Sequence, residues 1–213
     1  MLVVGVGEVG GGLMKVLGCE GRDVGDEIRG TAGILHIAFP WSESFVSEVR
    51  RYEAGYEAGL VVVHSTVPVG TCDPEGWVHS PVRGRHPDLV AGLTSFVKFF
   101  GGARAHEAAR VWPGPSKVAD LAAETEAAKL WELTQFGIQV RITQAIYEWC
   151  EEKGLDADVV YRQMAETYNQ GYQKLGDEQF TRPVLDYVPG PIGGHCVVPG
   201  VEMLDHPLVR LTW

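Results

Sequence analysis

MLVVGVGEVGGGLMKVL, residues 1–17, sets a short apolar run in front of Gly5-Val6-Gly7-Glu8-Val9-Gly10 and follows it with residues that can form a helix. Strand, glycine turn and helix in that order open a βαβ unit. The spacing Gly-x-Gly-x-x-Gly in this context suits a dinucleotide. It supplies a tight turn, room for a pyrophosphate against the backbone, and a helix N-terminus aimed at the phosphates. The bland alternative is a glycine turn of any α/β protein. The next strand pattern, GILHIAF at 33–39, begins about thirty residues after the first, the length of one βαβ unit. LVVV at 60–63 reads as a third buried strand, with shorter candidates at Trp77–His79 and Phe96–Phe100. Between them, Ser42 can cap a helix whose apolar positions are Phe45, Val46, Val49 and Tyr52. Strands alternating with helices indicate an α/β, Rossmann-like, doubly wound and mostly parallel sheet.

The fingerprint also expects an acidic residue about twenty positions after the turn, at the end of a second strand, to hold the adenosine ribose. Asp23 and Asp26 lie near that spacing. The stretch GCEGRDVGDEIRG, however, has no apolar run to make the strand, so the ribose-binding half is expected to be missing or rebuilt.

From Ser116 a helical pattern extends to about Lys153, with Gly154 as terminator and Asp156 as cap for a further helix. Trp131, Ile138, Ile142, Ala145 and Trp149 form one apolar face; Leu133, Phe136, Val140, Tyr147 and Cys150 form another. A helix apolar on two sides is packed on two sides, either within one subunit or against the partner of a homodimer. The composition change divides the chain into a Rossmann-like dinucleotide-binding domain, 1–115, and a helical central and dimerisation region, 116–213. The second region ends in the Gly- and Pro-rich loop GPIGGHCVVPG.

The 213 residues are 45% hydrophobic and 22% charged, enough for a real core, with a formal net charge of -10. That charge disfavours nucleic acid and anionic membranes as partners. No apolar run approaches the roughly 20 residues that span a bilayer, and no secretory leader is recognisable at the N-terminus, so a cytoplasmic location is expected. Four well-separated cysteines, Cys19, Cys72, Cys150 and Cys196, without a C-x-x-C pair, point to reduced thiols. Neither the histidines nor the cysteines have metal-ligand spacing, and no metal is expected.

Several segments in order resemble the UDP-glucose/GDP-mannose dehydrogenase family, nearest the UDP-N-acetylmannosamine dehydrogenase branch. They are GVGEVGGGL (5–13), HSTVPVGT (64–71), HSPVRG (79–84), FFGG (99–102), TEAAKL (125–130) and PGPIGGHC (189–196), and they span nearly the whole chain. The resemblance implies a dimer and NAD-dependent oxidation of a sugar-nucleotide primary alcohol to a carboxylate, in two hydride transfers through a thiohemiacetal and a thioester on a cysteine. It assigns the nucleophile to Cys196, charge stabilisation at the substrate oxygen to Lys129, and a place near the cofactor and the catalytic water to Thr66. Cofactor contacts fall on Gly5, Gly7, Glu8, Val9, Gly10, Pro40, Ser65 and Thr66. Substrate contacts fall on Arg83, Gly193, Gly194 and His195. His195 adjoins Cys196, but adjacent side chains in an extended loop point apart, so a Cys–His pair is not expected.

The sequence also departs from the family pattern. Where the family has an asparagine one helical turn beyond the lysine, this chain has Leu133. Where it has a glutamate that assists thioester hydrolysis, this chain has Val82, whose side chain cannot take a proton from water. An aspartate four residues after the nucleophile is replaced by Gly200. Family members continue beyond the cysteine motif into a domain that closes over the substrate's nucleotide, a part expected here from a partner chain or not at all. Two functions therefore stand side by side: an NAD-linked dehydrogenase, and a catalytically degenerate relative serving as a dimeric binding or assembly module.

Overall fold

The computed structural model describes residues 1–84, Pro87, 89–192 and 197–212. The chain forms two compact units, Met1–Leu130 and Trp131–Trp213. The sheet-bearing unit thus extends past residue 115, where the composition changes.

In the first unit, strands β1 (Leu2–Val4), β2 (Glu20–Arg22), β3 (Ile34–Ile37), β4 (Leu60–Val63), β5 (Val78–His79), β6 (Lys98–Gly101) and β7 (Ser116–Ala119) make one sheet in the order β2-β1-β3-β4-β5-β6-β7. Neighbours are parallel except β5 and β6, which pair antiparallel through His79 and Gly101. Helices α1 (Glu8–Leu17), α2 (Phe45–Gly55), α3 (Leu89–Ser95) and α4 (Ala105–Arg110) cover the sheet. Alternation along the strands creates two cores. Leu35, Ile37, Val61 and Val63 face Phe45, Val49 and Tyr52 of α2. Val3, Val62, Val78 and Phe100 face Leu13, Leu89 and Leu93 of α1 and α3. This is the doubly wound arrangement expected.

Two strands differ from the sequence reading. β2 does form, from the polar residues Glu-Gly-Arg, because an edge strand needs only the backbone pairing that β1 provides, Leu2 to Glu20 and Val4 to Arg22. Ser116–Ala119, read as the start of a helical pattern, forms β7 instead, pairing with β6 from Lys98–Ser116 to Gly101–Ala119. The long helix α5 then runs from Ala122 to Lys153.

The second unit contains the rest of α5, a π-helical segment Asp158–Gln163 that leads into α6 (Met164–Leu175), and the short helix α7 (Val197–Glu202). Asp156 caps the π-helical segment by accepting the Asp158 N–H at 2.9 Å. Neither of the two apolar faces read from the sequence is wholly covered: Leu133 and Cys150 on one are buried but Phe136 between them is 46% exposed, and Trp131, Ile142 and Trp149 on the other are exposed at 39%, 54% and 50%. No helix among the described residues is long and apolar enough to cross a membrane.

Candidate functional site

The glycine turn joins β1 to α1, and its three glycines do different work. Gly5 has φ +91°, and a Cβ there would come within 2.9 Å of the Ala38 backbone, so only glycine lets the end of β3 approach the turn. A Cβ on Gly10 would sit 1.7 Å from the Gly5 carbonyl oxygen, so α1 is seated directly on the turn. At Gly7, by contrast, a Cβ would meet nothing within 4 Å. Gly7 is also the N-cap of α1, and no side chain caps that helix end. The turn therefore presents an open space in front of a helix N-terminus, with the positive end of the dipole facing it. Because β1 lies between β2 and β3, this space is at the point where strand order reverses, the position at which doubly wound sheets bind ligands.

Asp23 directly follows β2. Its N–H donates to Asp26 Oδ2 (2.8 Å), its Oδ1 accepts the Val24 N–H (2.9 Å), and the Tyr52 hydroxyl accepts the Gly25 N–H (3.0 Å), which ties this turn to α2. The neighbouring Arg22 is spent locally on Gly21 O and Glu20 Oε2. Asp23, one of the two acids near the fingerprint spacing, thus stands at the end of a real strand.

The loops after β3 and β4 meet where the Ser65 hydroxyl donates to Phe39 O at 2.6 Å. Pro40 is exposed and Thr66 half-buried beside this junction. After β5 the chain is held by two lysines. Lys98 Nζ donates to Ser80 O and Pro81 O, both at 2.8 Å, and Lys129 Nζ donates to Val82 O at 2.9 Å. Arg83 lies over the Phe96 ring at 5.5 Å. Val82 is buried.

The start of α5 is fixed by residues whose roles the sequence did not reveal. The Asp73 carboxylate accepts the Ala122 and Ala123 N–H groups, capping the helix. Glu126, fully buried, accepts the N–H groups of Gly70, Thr71 and Cys72. Hydrogen bonds to a charged group contribute about 1.5–3 kcal/mol each, so Glu126 is a firm clamp on the HSTVPVGT loop. Thr125 sits 2.8 Å from His79 Nδ1. Thr125, Glu126 and Lys129 all lie in TEAAKL, and their spacing puts them on one helix face.

Beneath the strand ends runs a buried polar row. His36 alternates with Leu35 and Ile37 and so faces the α1–α3 layer. Its Nδ1 is 3.0 Å from His64 Nε2, and His64 Nδ1 is 2.9 Å from Ser80 O. A carbonyl only accepts, so His64 carries its proton on Nδ1 and His36 donates to it. His36 Nε2 is then left buried without a partner. Burial, reinforced by the Lys98 charge, lowers the His36 pKa to about 4 and holds His64 well below the ordinary histidine range. Burial likewise lowers His79 to about 3, and burial next to Lys129 holds Lys98 well below an ordinary lysine.

Of the residues expected on the substrate side, Gly193, Gly194, His195 and Cys196 lie outside the described residues. In the second unit, the positions of two family departures touch each other: a Cβ on Gly200 would fall 2.4 Å from Leu133 Cδ1. An apolar contact thus stands where the resemblance leads one to expect two polar residues.

No protein-family model matches this sequence, and no curated protein matches it. Solved structures do. The chain shares the fold of nucleotide-sugar dehydrogenases. UDP-D-ManNAc dehydrogenase from Pyrococcus horikoshii superposes with TM-score 0.80 at 16% identity, over 100% of this chain and 67% of that one. A UDP-glucose dehydrogenase from the hyperthermophilic archaeon Pyrobaculum islandicum gives 0.75 at 15% identity, over 99% and 66%. The same fold extends to Mycobacterium tuberculosis 3-hydroxyisobutyrate dehydrogenase, at TM-score 0.71 and 15% identity, over 99% and 90%. The chain therefore spans about two thirds of the length of the two nucleotide-sugar dehydrogenases.

Proposed function

We propose that the sheet-bearing unit binds NAD and that the chain is an oxidoreductase of the nucleotide-sugar 6-dehydrogenase kind, working in the cytoplasm. The division of labour among Gly5, Gly7 and Gly10 carries this reading, since a turn that only had to be tight would not need an open N-terminus at Gly7. The pyrophosphate lies over Gly7, with the backbone of Glu8, Val9 and Gly10 behind it. Asp23 takes the ribose diol, and its charge, with Arg22 already paired, disfavours a 2′-phosphate. Pro40, Ser65 and Thr66 flank the far half of the cofactor. NAD, when bound, supplies the hydride acceptor. The protein's own part is to hold the substrate oxygen near Lys129, to contact substrate through Arg83, Gly193, Gly194 and His195, and to offer the Cys196 thiolate to an aldehyde carbonyl.

Calorimetric titration tests the first half: NAD binds and NADP binds more weakly, and Asp23→Asn loosens NAD about tenfold. Absence of dinucleotide binding at millimolar concentration overturns the proposal. The second half is tested by timing alkylation of the four thiols. Cys72 and Cys150 are buried, and burial beside Glu126 pushes the Cys72 thiol far up, so both should react slowly. Half-buried Cys19 is the fair reference, and a Cys196 no faster than Cys19 is not a nucleophile.

A second reading is favoured by Val82 and by the Leu133–Gly200 contact, which leave no polar side chain at three positions where the resemblance expects one. On it, the chain is a binding or assembly module that keeps the cofactor turn. Retained NAD affinity with no NADH formed from any UDP-sugar selects this reading.

Either version is expected to be a homodimer through the exposed face of α5. Trp149→Glu places a charge in that interface and should convert dimer to monomer in sedimentation without shifting the melting temperature of the sheet-bearing unit.

A further inference from the structure

Residues 181–189 form neither helix nor strand, so their backbone carbonyls have no ladder to join and need partners from elsewhere. For the end of this segment the partners come from α5, in descending order along it. Tyr187 stacks on Tyr147, with ring centroids 4.7 Å apart. Gln144, one turn earlier in the helix, donates both amide hydrogens away from it, to Val188 O at 2.8 Å and to Gly190 O at 2.7 Å. Further down, a Cβ on Gly137 would lie 3.4 Å from Val197 Cγ1, and Gly200 rests on Leu133. Positions 147, 144, 137 and 133 share one face of the helix. The described residues on either side of the cysteine loop are therefore laid along that face, antiparallel to α5.

Gln144 is buried, only 2% exposed. A buried amide costs free energy unless its groups are paired, and here every contact agrees on one orientation. The two carbonyls only accept, so the nitrogen faces them. Arg141 Nη1, which only donates, reaches Gln144 Oε1 at 2.7 Å. Arg141 thus fixes the amide, and the amide fixes a carbonyl on each side of Pro189. The second belongs to Gly190, whose φ of +91° bends the chain as it approaches the loop. A helix face that only had to pack would bury an aliphatic side chain here.

We propose that Gln144, oriented by Arg141, is the positioning residue of the cysteine loop: it fixes the chain where it enters that loop, as the contacts of Gly137 and Leu133 fix it where it leaves into α7. Cys196 itself lies outside the described residues, and the inference rests on its proposed role as nucleophile.

The test is iodoacetamide alkylation of the full chain, with Cys19 as internal reference, beside limited chymotrypsin cleavage after Tyr187. Gln144→Met keeps the length of the side chain and removes its donors. It should slow Cys196 about tenfold against the parent, the change in thiolate fraction that accompanies a shift of about one pKa unit. Cys19 and NAD affinity should stay as in the parent, and cleavage after Tyr187 should quicken. Arg141→Met leaves the donors but frees the amide to turn; it should show the same pattern to a smaller degree, and it carries the test if Gln144→Met does not fold. Parent-rate alkylation of Cys196 in the variants, an equal change at Cys19, or unchanged cleavage after Tyr187 overturns the inference. A parent Cys196 no faster than Cys19 overturns the nucleophile reading instead, and cleavage after Tyr187 then decides alone whether Gln144 holds the loop.

Discussion

Gly10→Ala is expected to destabilise the sheet-bearing unit by about 3 kcal/mol or more, whereas Gly7→Ala leaves its stability almost unchanged and loses dinucleotide affinity instead. A methyl group on Gly10 would be placed 1.7 Å from the Gly5 carbonyl oxygen, a backbone atom that cannot rotate away. The helix must lift off β1, pulling Leu13 from its place in the core beside Val3. Overpacking of this kind costs about 1–3 kcal/mol when neighbours can yield, and more when they cannot. Gly7 has φ −61°, accessible to alanine, and open space around its missing Cβ. Its methyl would occupy the volume assigned to the pyrophosphate, and the same 1–3 kcal/mol then falls on binding, a loss of roughly tenfold to a hundredfold. Thermal melts and NAD calorimetry on the two variants check the contrast. Undiminished NAD affinity in Gly7→Ala would place the phosphates elsewhere, and a stable Gly10→Ala would mean that the helix seat yields.

The parts of this fold that were readable in the sequence are those whose signal is local. Leu2–Val4, the glycines and α1 are contiguous, and the apolar runs of β3 and β4 are buried on both faces, so periodicity and punctuation suffice. β2 was not readable because its residues carry no apolar pattern; it exists because β1 offers a free edge. β7, with Ser116 and Lys117 exposed, was hidden for a similar reason.

The candidate site divides in the same way. The glycine turn and Lys129 could be named in advance, but Glu126, three residues from Lys129, could not. Its partners lie more than fifty residues away, and nothing in TEAAKL says that a loop's N–H groups will converge on it. The polar row is more distant still from any sequence signal. His36, His64 and Lys98 have no helical or metal-ligand spacing. They come together because Val3, His36 and Val62 share one register across β1, β3 and β4 while Lys98 lies on the same face of β6. Register of this kind depends on strand order, which the sequence leaves open.

That row makes the protein sensitive to acid well above the carboxylate range. In the unfolded chain a histidine titrates near pH 6.5, while in the folded state His36 holds off protonation to about 4 and His79 to about 3. Between those values the unfolded state binds the proton and the folded state does not, so stability is full above about pH 6.5 and falls as pH drops toward 4. Each histidine contributes about 1.4 kcal/mol per pH unit over its window, and His36 alone about 3 kcal/mol in all. Against the 5–15 kcal/mol typical of a folded domain, His36, His64 and His79 together should unfold the sheet-bearing unit near pH 5. Lys98 acts at the other end. Its folded pKa is depressed, so the unfolded chain holds the extra proton up to about pH 10.4 and stability rises as pH increases toward that value. Guanidinium midpoints measured from pH 4.5 to 10 should therefore fall below about pH 6.5 and still rise on the alkaline side toward about pH 10.4. His36→Gln, whose amide can still donate to His64, should shallow the acid limb by about 1.4 kcal/mol per pH unit, and Lys98→Met should flatten the alkaline rise. A parent profile flat between pH 7 and 5 would mean that the histidines are hydrated in solution, with His36 Nε2 paired to water.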